Sequence, residues 1–343
     1  MEWVDNLLKV ETGVRLLAAA RQAVGTCLST TSEDRAVVIY DSSTQAIAAA
    51  LVRAFTEVGA SVQVYDMDSF GERPFTRLPA AVTKSLENAT VSAMAVVAKQ
   101  GELTARRTVL ELATNCKLRH AHMPSITTET FEDGLSMDYR EVSRFMDRIE
   151  AAISDSTSLR MTSAAGTDIE FRFASPPHIV KLDGLVTSER WQNLPSGQII
   201  IVPTDANGIF VVDSSIGDWF ESKYNIAQYP VTIEFAGARA KQLFCDNPKL
   251  KRDLSLYLRS SENSGRVSEL VIGANLGLTQ DHSGALFQGY RPGASIAVGH
   301  SVTPEVDVSW TASTFTPLIG CRTNLLVGNR QIMLDDSFAA DLL

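Results

Sequence analysis

The chain has 343 residues, enough for two domains, and its 45% hydrophobic and 21% charged residues are ordinary for a globular protein, which excludes the disordered classes. Its formal net charge of -9 argues against nucleic-acid partners, because contact with phosphates requires clustered lysine and arginine. No apolar run approaches the roughly 20 residues that span a bilayer, so no membrane partner is expected.

The four cysteines are scattered without a C-x-x-C spacing, at Cys27, Cys116, Cys245 and Cys321. Isolated cysteines beside apolar residues are typical of buried free thiols. The first residues include acidic side chains and lack a basic stretch followed by an apolar core, so they do not resemble a signal peptide. Together these features predict a cytoplasmic location.

The first third of the sequence alternates helical repeats with short, continuously apolar strands. The predicted helices cover about residues 5–23, 44–52, 79–86 and 104–115, and the predicted strands cover 36–41, 61–66, 91–98 and 117–122. Strands of this kind, separated by helices, are typical of a parallel sheet. The sequence therefore predicts a Rossmann-like α/β domain.

The loop after the first predicted strand reads DSSTQ and lacks the G-x-G-x-x-G pattern of dinucleotide sites. Without glycines a phosphate cannot approach the backbone closely, so we interpret the loop as an ordinary helix cap built by Ser43 or Thr44. His120 and His122, on the strand predicted at 117–122, are expected to face opposite sides of the sheet and to have structural roles.

A helix is predicted from about Tyr139 to Ser154, and the sequence pattern changes after it. Beyond it, short alternating or apolar runs are separated by glycine and proline, which favours a predominantly β second domain. Asn207-Gly208 between apolar runs is a hairpin signal, and a further strand is expected over 306–311. The predicted domains are 1–154, Rossmann-like, and 155–343, β-rich and α+β.

Three stretches resemble a known family. They are the turn AGTD at 165–168, the motif NLPSG from Asn193 to Gly197, and the run from Ser264 to Gly320, which contains the segment LFQGYRPGASIAVG. This pattern is similar to that of the aminopeptidase T type metallopeptidases, whose fold also serves 2,5-dihydroxypyridine dioxygenases. The resemblance implies an aminopeptidase T-like architecture with a metal-site cleft in the second half.

The same resemblance implies metal ligands at five positions, where this chain has Gln198, Glu269, Ser295, Asp307 and Ser309. A catalytic tyrosine of the family is replaced by Val302. Zinc or ferrous iron is held by three or more imidazole and carboxylate donors, and hydroxyls or amides are poor substitutes. We therefore expect a degenerate member of the family that binds no metal and needs no cofactor.

Other residues keep an enzyme possible. His282 and His300 are candidate replacement ligands, which with Glu269 and Asp307 would rebuild a metal site or act as a metal-free acid and base. Aromatic side chains near the expected cleft, including Trp310, would supply contact area for a peptide or an aromatic substrate. The exposed edges of a β-rich domain could also accept an extended peptide.

The hypothesis that follows is a non-catalytic, metal-free peptide-binding protein on a metallopeptidase scaffold, presenting a precursor peptide in a bacterial peptide natural-product pathway, as crocagin-type peptide-binding proteins do. The alternative is an active aminopeptidase or non-haem iron ring-cleaving dioxygenase with displaced ligands. Expected partners are the peptide, modifying enzymes of the pathway and, by resemblance, a second copy in a homodimer. The candidate peptide-binding residues are Gln198, Glu269, His282, Ser295, His300, Asp307, Ser309 and Trp310.

Overall fold

The computed structural model describes residues 2–279 and 284–343. Its helices are α1 Glu2–Leu8, α2 Val14–Arg21, α3 Gln45–Val58, α4 Ala80–Asn88, α5 Leu103–Asn115, α6 Thr128–Gly134, α7 Tyr139–Ile153, α8 Gly217–Glu221, α9 Pro248–Leu258 and α10 Ala285–Gln288, with a π-helix at Gln22–Cys27 and 3₁₀ turns at Ser42–Thr44 and Met67–Phe70. No helix in these ranges is both long enough and apolar enough to cross a bilayer.

Strands outnumber helices and fall into three sheets. They are β1 Arg35–Tyr40, β2 Ser61–Asp66, β3 Val91–Val96, β4 Arg119–Pro124, β5 Ser158–Ser163, β6 Asp168–Arg172, β7 Ile179–Leu182, β8 Gln192–Asn193, β9 Gln198–Ile201, β10 Asp205–Val212, β11 Ser215–Ile216, β12 Val231–Ala236, β13 Arg239–Phe244, β14 Val267–Gly273, β15 Gly293–Gly299, β16 Phe315–Ile319, β17 Thr323–Val327, β18 Arg330–Leu334 and β19 Ser337–Phe338. The chain forms two compact units, one of Met1–Ser143 with Asp183–Ser196, the other of Arg144–Leu182 with Gly197–Leu343.

The first unit is built on a parallel sheet with the strand order β2-β1-β3-β4-β8. All six residues of β3 are buried, and so are five of the six in β1, which is why these strands read as continuous apolar runs. Helix α3 ends at Gly59, whose φ of 89° is the left-handed conformation that glycine adopts at helix ends. The predicted Rossmann-like domain is confirmed.

Two details of the first unit differ from the prediction. The helix expected over 5–23 is divided into α1 and α2, because Gly13 before Val14 has an extended backbone. The cap of the DSSTQ loop is Asp41 rather than Ser43 or Thr44: its carboxylate accepts from the Ser43 backbone N–H, and Thr44 reaches back to the Asp41 backbone. The loop is a capping box closed by a residue that the prediction assigned to the strand.

The second unit consists mainly of two antiparallel sheets, as the sequence predicts. The eight-stranded sheet has the order β13-β12-β10-β6-β5-β17-β18-β19, and the six-stranded sheet has the order β11-β16-β15-β14-β9-β7. In β12, buried residues alternate with half-buried ones, the pattern of a strand with one face on the core. In β14 all seven residues are buried, so this strand lies at the centre of its sheet.

The hairpin predicted at Asn207-Gly208 is absent, because both residues lie within β10, in register with β6. A Cβ on Gly208 would lie 2.2 Å from the Asp168 carbonyl oxygen, and the Gly208 φ is 134°. The glycine therefore permits a close approach of two strands, which is the other common use of glycine in a sheet.

The strand predicted over 306–311 is also absent. Val306 is buried and packs with Val308 against the apolar side chains of the six-stranded sheet, while Asp307 and Ser309 are exposed. The alternation of apolar and polar residues is real, but it belongs to an irregular segment that covers a sheet rather than to a strand within one.

Candidate functional site

One face of the six-stranded sheet collects three of the predicted site residues. Val271 of β14 pairs with Ser295 of β15 and with Ile200 of β9. Paired residues of antiparallel strands share a face, and so do residues two apart in one strand. Glu269, two residues before Val271, and Gln198, two residues before Ile200, therefore lie on the same face as Ser295.

Glu269 is the least solvated of the three, with 2% of its surface exposed. Its carboxylate accepts a hydrogen bond from the Ser301 hydroxyl, while Oε1 has no hydrogen-bond partner among the described residues. Burial raises the pKa of this carboxyl to about 7, and the Ser301 hydrogen bond offsets part of the rise. Glu269 can therefore change its proton occupancy near neutral pH.

Apolar side chains surround this polar group. Val180, Ile200 and Val271 form a buried cluster with Val306, and three half-buried residues pack against it, Leu182, Val202 and Val308. The cluster joins three strands of the sheet to the covering segment. A site with this lining favours a ligand that combines apolar contact with a few hydrogen bonds.

A small pocket of about 20 Å³, partly open to solvent, lies at Ser295. Hydroxyl, amide, guanidinium, carboxylate and thiol groups line it, from Ser214, Gln288, Arg291, Ser295, Asp336 and Cys321. Glu269 is not part of its lining. Apart from Ser295, these residues were missed at the sequence level, because they come from four separate segments that only the fold brings together.

The remaining predicted residues lie after β15. His300 is exposed, and its Nδ1 lies 3.1 Å from the carbonyl oxygen of Trp310. The Arg266 guanidinium carbon lies 4.8 Å from the centre of the half-buried Trp310 ring, a cation–π contact. Asp307 and Ser309 are exposed. His282 lies outside the described residues.

The donors on the sheet face do not fit a catalytic metal. Gln198, Glu269 and Ser295 offer one carboxylate with an amide and a hydroxyl, whereas zinc and ferrous iron require several carboxylates and imidazoles. Across 2–279 and 284–343, no three His, Cys, Asp or Glu side chains are grouped so that they could hold a metal ion. The chemistry available to this face is hydrogen bonding and proton exchange at Glu269.

The first unit contains a second polar cluster, which corrects a prediction. His120 and His122 lie on the same face of β4, as residues two apart in a strand must, and His120 Nε2 is 3.4 Å from His122 Nδ1. Ser92 Oγ is 2.7 Å from His120 Nδ1. Burial lowers the pKa of His120 to about 3 and also lowers that of His122, where His120 and Arg106 add to the effect. Both rings are therefore neutral at physiological pH.

In the first unit, the Arg73 side chain fills the crevice where ligands bind in many parallel α/β sheets. The strand order reverses between β1 and β3, and ligands of such sheets bind at that point. Here the Arg73 guanidinium lies 2.7 Å from Asp41 Oδ2 and 2.6 Å from Glu102 Oε2, and it donates to the Val97 carbonyl oxygen. Because Arg73 occupies this crevice and pairs with Asp41, the DSSTQ loop has no phosphate-binding role.

The fold matches those of two solved structures. The structure of 2,5-dihydroxypyridine dioxygenase from Pseudomonas putida KT2440 is 16% identical, with a TM-score of 0.67, covering 94% of this chain and 97% of that one. Wild-type AmpT from Thermus thermophilus is 12% identical, with a TM-score of 0.66, covering 95% of this chain and 99% of that one. At these identities the likeness shows the shared fold.

No curated protein matches the sequence significantly. A family model does match, that of NicX, described as 2,5-dihydroxypyridine 5,6-dioxygenase, over residues 15–242. The matched residues make up more than half of the chain. The protein therefore belongs to the NicX family, on a fold shared with aminopeptidase T.

Proposed function

We propose that this chain is a metal-free, non-catalytic peptide-binding protein on the scaffold of its family. The observation that supports the proposal is the donor set on the six-stranded sheet, where Gln198, Glu269 and Ser295 offer hydrogen bonds but no metal-binding geometry. A peptide presents amide groups that such donors and acceptors can pair with. The cytoplasm as location, a precursor peptide as ligand, and modifying enzymes and a homodimer as partners belong to the same proposal.

The ligand proposed for this site carries a basic group. Among the described residues, one oxygen of the buried Glu269 carboxylate has no hydrogen-bond partner, and a lysine ammonium would supply that hydrogen bond and the opposite charge. The apolar cluster around Val271 would hold the aliphatic part of the same side chain. The proposed contacts at the exposed end of the site are His300, Asp307, Ser309 and Trp310, and His282 belongs to the proposed set as well.

The first test is metal content. Elemental analysis of the untagged protein, with calorimetric titration of zinc and of ferrous iron under anaerobic conditions, is expected to give no stoichiometric metal and no binding. One tightly bound ion per chain would overturn the proposal and favour the family's dioxygenase or aminopeptidase chemistry. In that case His282→Ala and His300→Ala variants would show which imidazole replaces the missing ligands.

The second test uses three fluorescein-labelled, capped decapeptides that differ only at a central lysine, norleucine or glutamate. Fluorescence anisotropy is expected to rank their affinities in that order. Glu269→Gln is expected to weaken the lysine peptide roughly tenfold, because a charge-assisted hydrogen bond contributes about 1.5–3 kcal/mol. Glu170→Gln, on an exposed position of β6, is the matched control. Equal affinity for all three peptides, unchanged in Glu269→Gln, would remove Glu269 from the site.

A further inference from the structure

The outer strand of the eight-stranded sheet has an edge that no other strand covers. β13 pairs with β12 on one side. On its other side, Arg239 bridges to Arg266, and the Ala240 N–H donates to the Gly265 carbonyl oxygen. From Lys241 to Phe244, no strand of the described residues pairs with that side. A free edge of this kind offers alternating backbone donors and acceptors to another extended chain.

Helix α9 runs beside this edge and forms a groove with it. Lys251, Ser255 and Arg259 follow one another at intervals of four residues, so they lie along one stripe at the helix surface. The adjacent stripe, Leu250, Leu254 and Leu258, is buried, and Leu258 also lines the groove. The groove is open to solvent, has a volume of about 130 Å³ and is lined by Ala240, Lys241, Gln242, Leu243, Lys251, Ser255, Leu258 and Arg259.

The charge of the groove is opposite to that of the molecule as a whole. Lys241, Lys251 and Arg259 are exposed, and in the described part of the chain none of them forms an ion pair with a carboxylate within 4.0 Å. By contrast, the neighbouring Arg252 pairs with Asp253, and Arg239 lies 3.9 Å from Glu262. In a chain of net charge -9, three uncompensated cations along one groove favour an acidic partner.

We propose that the groove between β13 and α9 binds an acidic peptide segment in an extended conformation, which adds to the sheet as a further strand. The peptide backbone pairs with the free edge from Lys241 to Phe244. Acidic side chains on one side of the added strand meet Lys251 on α9 and Arg259, which directly follows α9. None of the residues that line the groove belongs to the six-stranded sheet or to the set proposed around Glu269, so this inference is independent of the proposed function at Glu269.

The geometry favours a peptide over a single-stranded nucleic acid. Protein grooves that bind single-stranded nucleic acid combine cations with exposed aromatic rings on which the bases stack. Here no aromatic side chain is among the described residues that line the groove; Phe244, which is 53% exposed, lies at its end with the Lys251 ammonium 5.8 Å from the ring centre. The free backbone edge, in contrast, is matched by another peptide backbone.

The charge requirement is tested with a fluorescein-labelled octapeptide of alternating glutamate and valine, and with its lysine-valine counterpart. Anisotropy at low ionic strength is expected to show binding of the glutamate peptide only, weakening as salt increases. The triple variant Lys241→Glu, Lys251→Glu, Arg259→Glu is expected to lose at least tenfold in affinity. The variant Lys9→Glu, Lys84→Glu, Arg107→Glu makes the same change in net charge at exposed positions and is expected to bind normally. Equal losses in both variants would overturn the proposal.

The strand geometry is tested with two further glutamate-valine peptides, N-methylated at the odd or at the even positions. Since only alternate amides of an added strand face the sheet, one peptide is expected to lose binding and the other to retain it. Retention by both would show that charge alone acts, and would overturn strand addition. An octathymidylate that binds as tightly, and is lost in the same triple variant, would identify a general polyanion site instead. Glu269→Gln is expected to leave binding of the glutamate peptide unchanged, whatever its effect on the lysine peptide.

Discussion

Glu269 lies on an apolar sheet face with the Ser301 hydroxyl donating to its carboxylate, and burial raises its pKa to about 7 from the ordinary 4.5. Its folded-state pKa is therefore above its unfolded-state pKa. Its stabilising contribution is complete below about pH 4.5 and is lost as the pH rises through 7, because the unfolded chain releases the proton first.

The first prediction follows from this order of proton release. Glu269→Gln cannot ionise, so its stability does not fall as the pH rises. The free energy of unfolding of the variant minus that of the wild type is therefore expected to increase by roughly 3 kcal/mol from about pH 4.5 to pH 8. Urea unfolding followed by circular dichroism at several pH values measures the difference. Glu170→Gln, at an exposed site, is expected to track the wild type. Parallel curves for Glu269→Gln and the wild type would contradict the raised pKa.

Among single residues, Glu269, Gln198 and Ser295 can be identified from the sequence through the family pattern alone. The register of β14 with β15 and β9 places them on one face of the sheet. Ser301 could not be found in this way, since a serine donating to a buried carboxylate has no local signature. The contact between His120 and His122 was within reach, because residues two apart in a strand share a face. The prediction that the two rings face opposite sides of the sheet is therefore wrong.

Among the elements, β10 shows how a local signal can mislead. Asn-Gly between apolar runs is typical of a hairpin turn, but at Asn207-Gly208 it allows β6 to approach. The valines at 306 and 308 mislead similarly, since they alternate with polar residues outside any strand. In both cases the deciding contact is with a distant segment, and that information is absent from the local pattern.

The second prediction concerns Gly208. Gly208→Ala is expected to destabilise the protein by about 3 kcal/mol, because it adds a clash with the Asp168 carbonyl oxygen to an unfavourable φ. Gly237→Ala is the matched control, since it also has a positive φ but nothing within 4 Å of the added Cβ. Its expected cost is about 1 kcal/mol. Urea denaturation of both variants measures the difference, and equal costs would show that the close approach is unimportant.

The third prediction concerns Arg73, which joins the end of β1 to the segment before α5 through Asp41 and Glu102. The Arg73 side chain is 2% exposed. Arg73→Leu leaves two buried carboxylates without their cation and is expected to cost about 3–5 kcal/mol at neutral pH. Arg77→Leu, at an exposed position of the same segment, is expected to cost little. A loss below about 1 kcal/mol in Arg73→Leu would contradict the proposed role.

The pH dependence of the Arg73 variant has the opposite sign to that of Glu269. Burial raises the pKa values of Asp41 and Glu102, but hydrogen bonds from Ser43, Arg73 and backbone N–H groups lower them further, so both lie below their ordinary values. The stabilisation is present above about pH 4.5 and is lost as the pH falls through the folded-state values. The gap between wild type and Arg73→Leu is therefore expected to narrow in acid, as unfolding curves at low pH would show.

For the whole molecule, the architecture was the easiest feature to predict. Continuously apolar strands with intervening helices identify the parallel sheet, and the NLPSG and LFQGYRPG stretches identify the family fold, which two solved structures share. The function is harder to predict, because family membership shows the scaffold while the activity depends on a few side chains. Here Gln198 and Ser295 stand where the resemblance implies metal ligands.

The fourth prediction concerns assembly. The resemblance to the aminopeptidase T family leads us to expect a homodimer, with twice the 37.3 kDa mass of one chain. Sedimentation velocity over a wide range of protein concentrations measures the mass directly. A single species at the mass of one chain throughout that range would contradict the expectation.

The cations beside β13 have a second consequence, for the behaviour of the protein at high concentration. An open strand edge is a template for aggregation, because two copies can pair edge to edge. Lys241 on the strand and Lys251 on the adjacent helix would be brought close to their counterparts in such a pair, and like charges repel. The groove that would admit an acidic segment therefore opposes edge-to-edge pairing of two copies at β13, and neutralising these lysines would lower colloidal stability while leaving the fold intact.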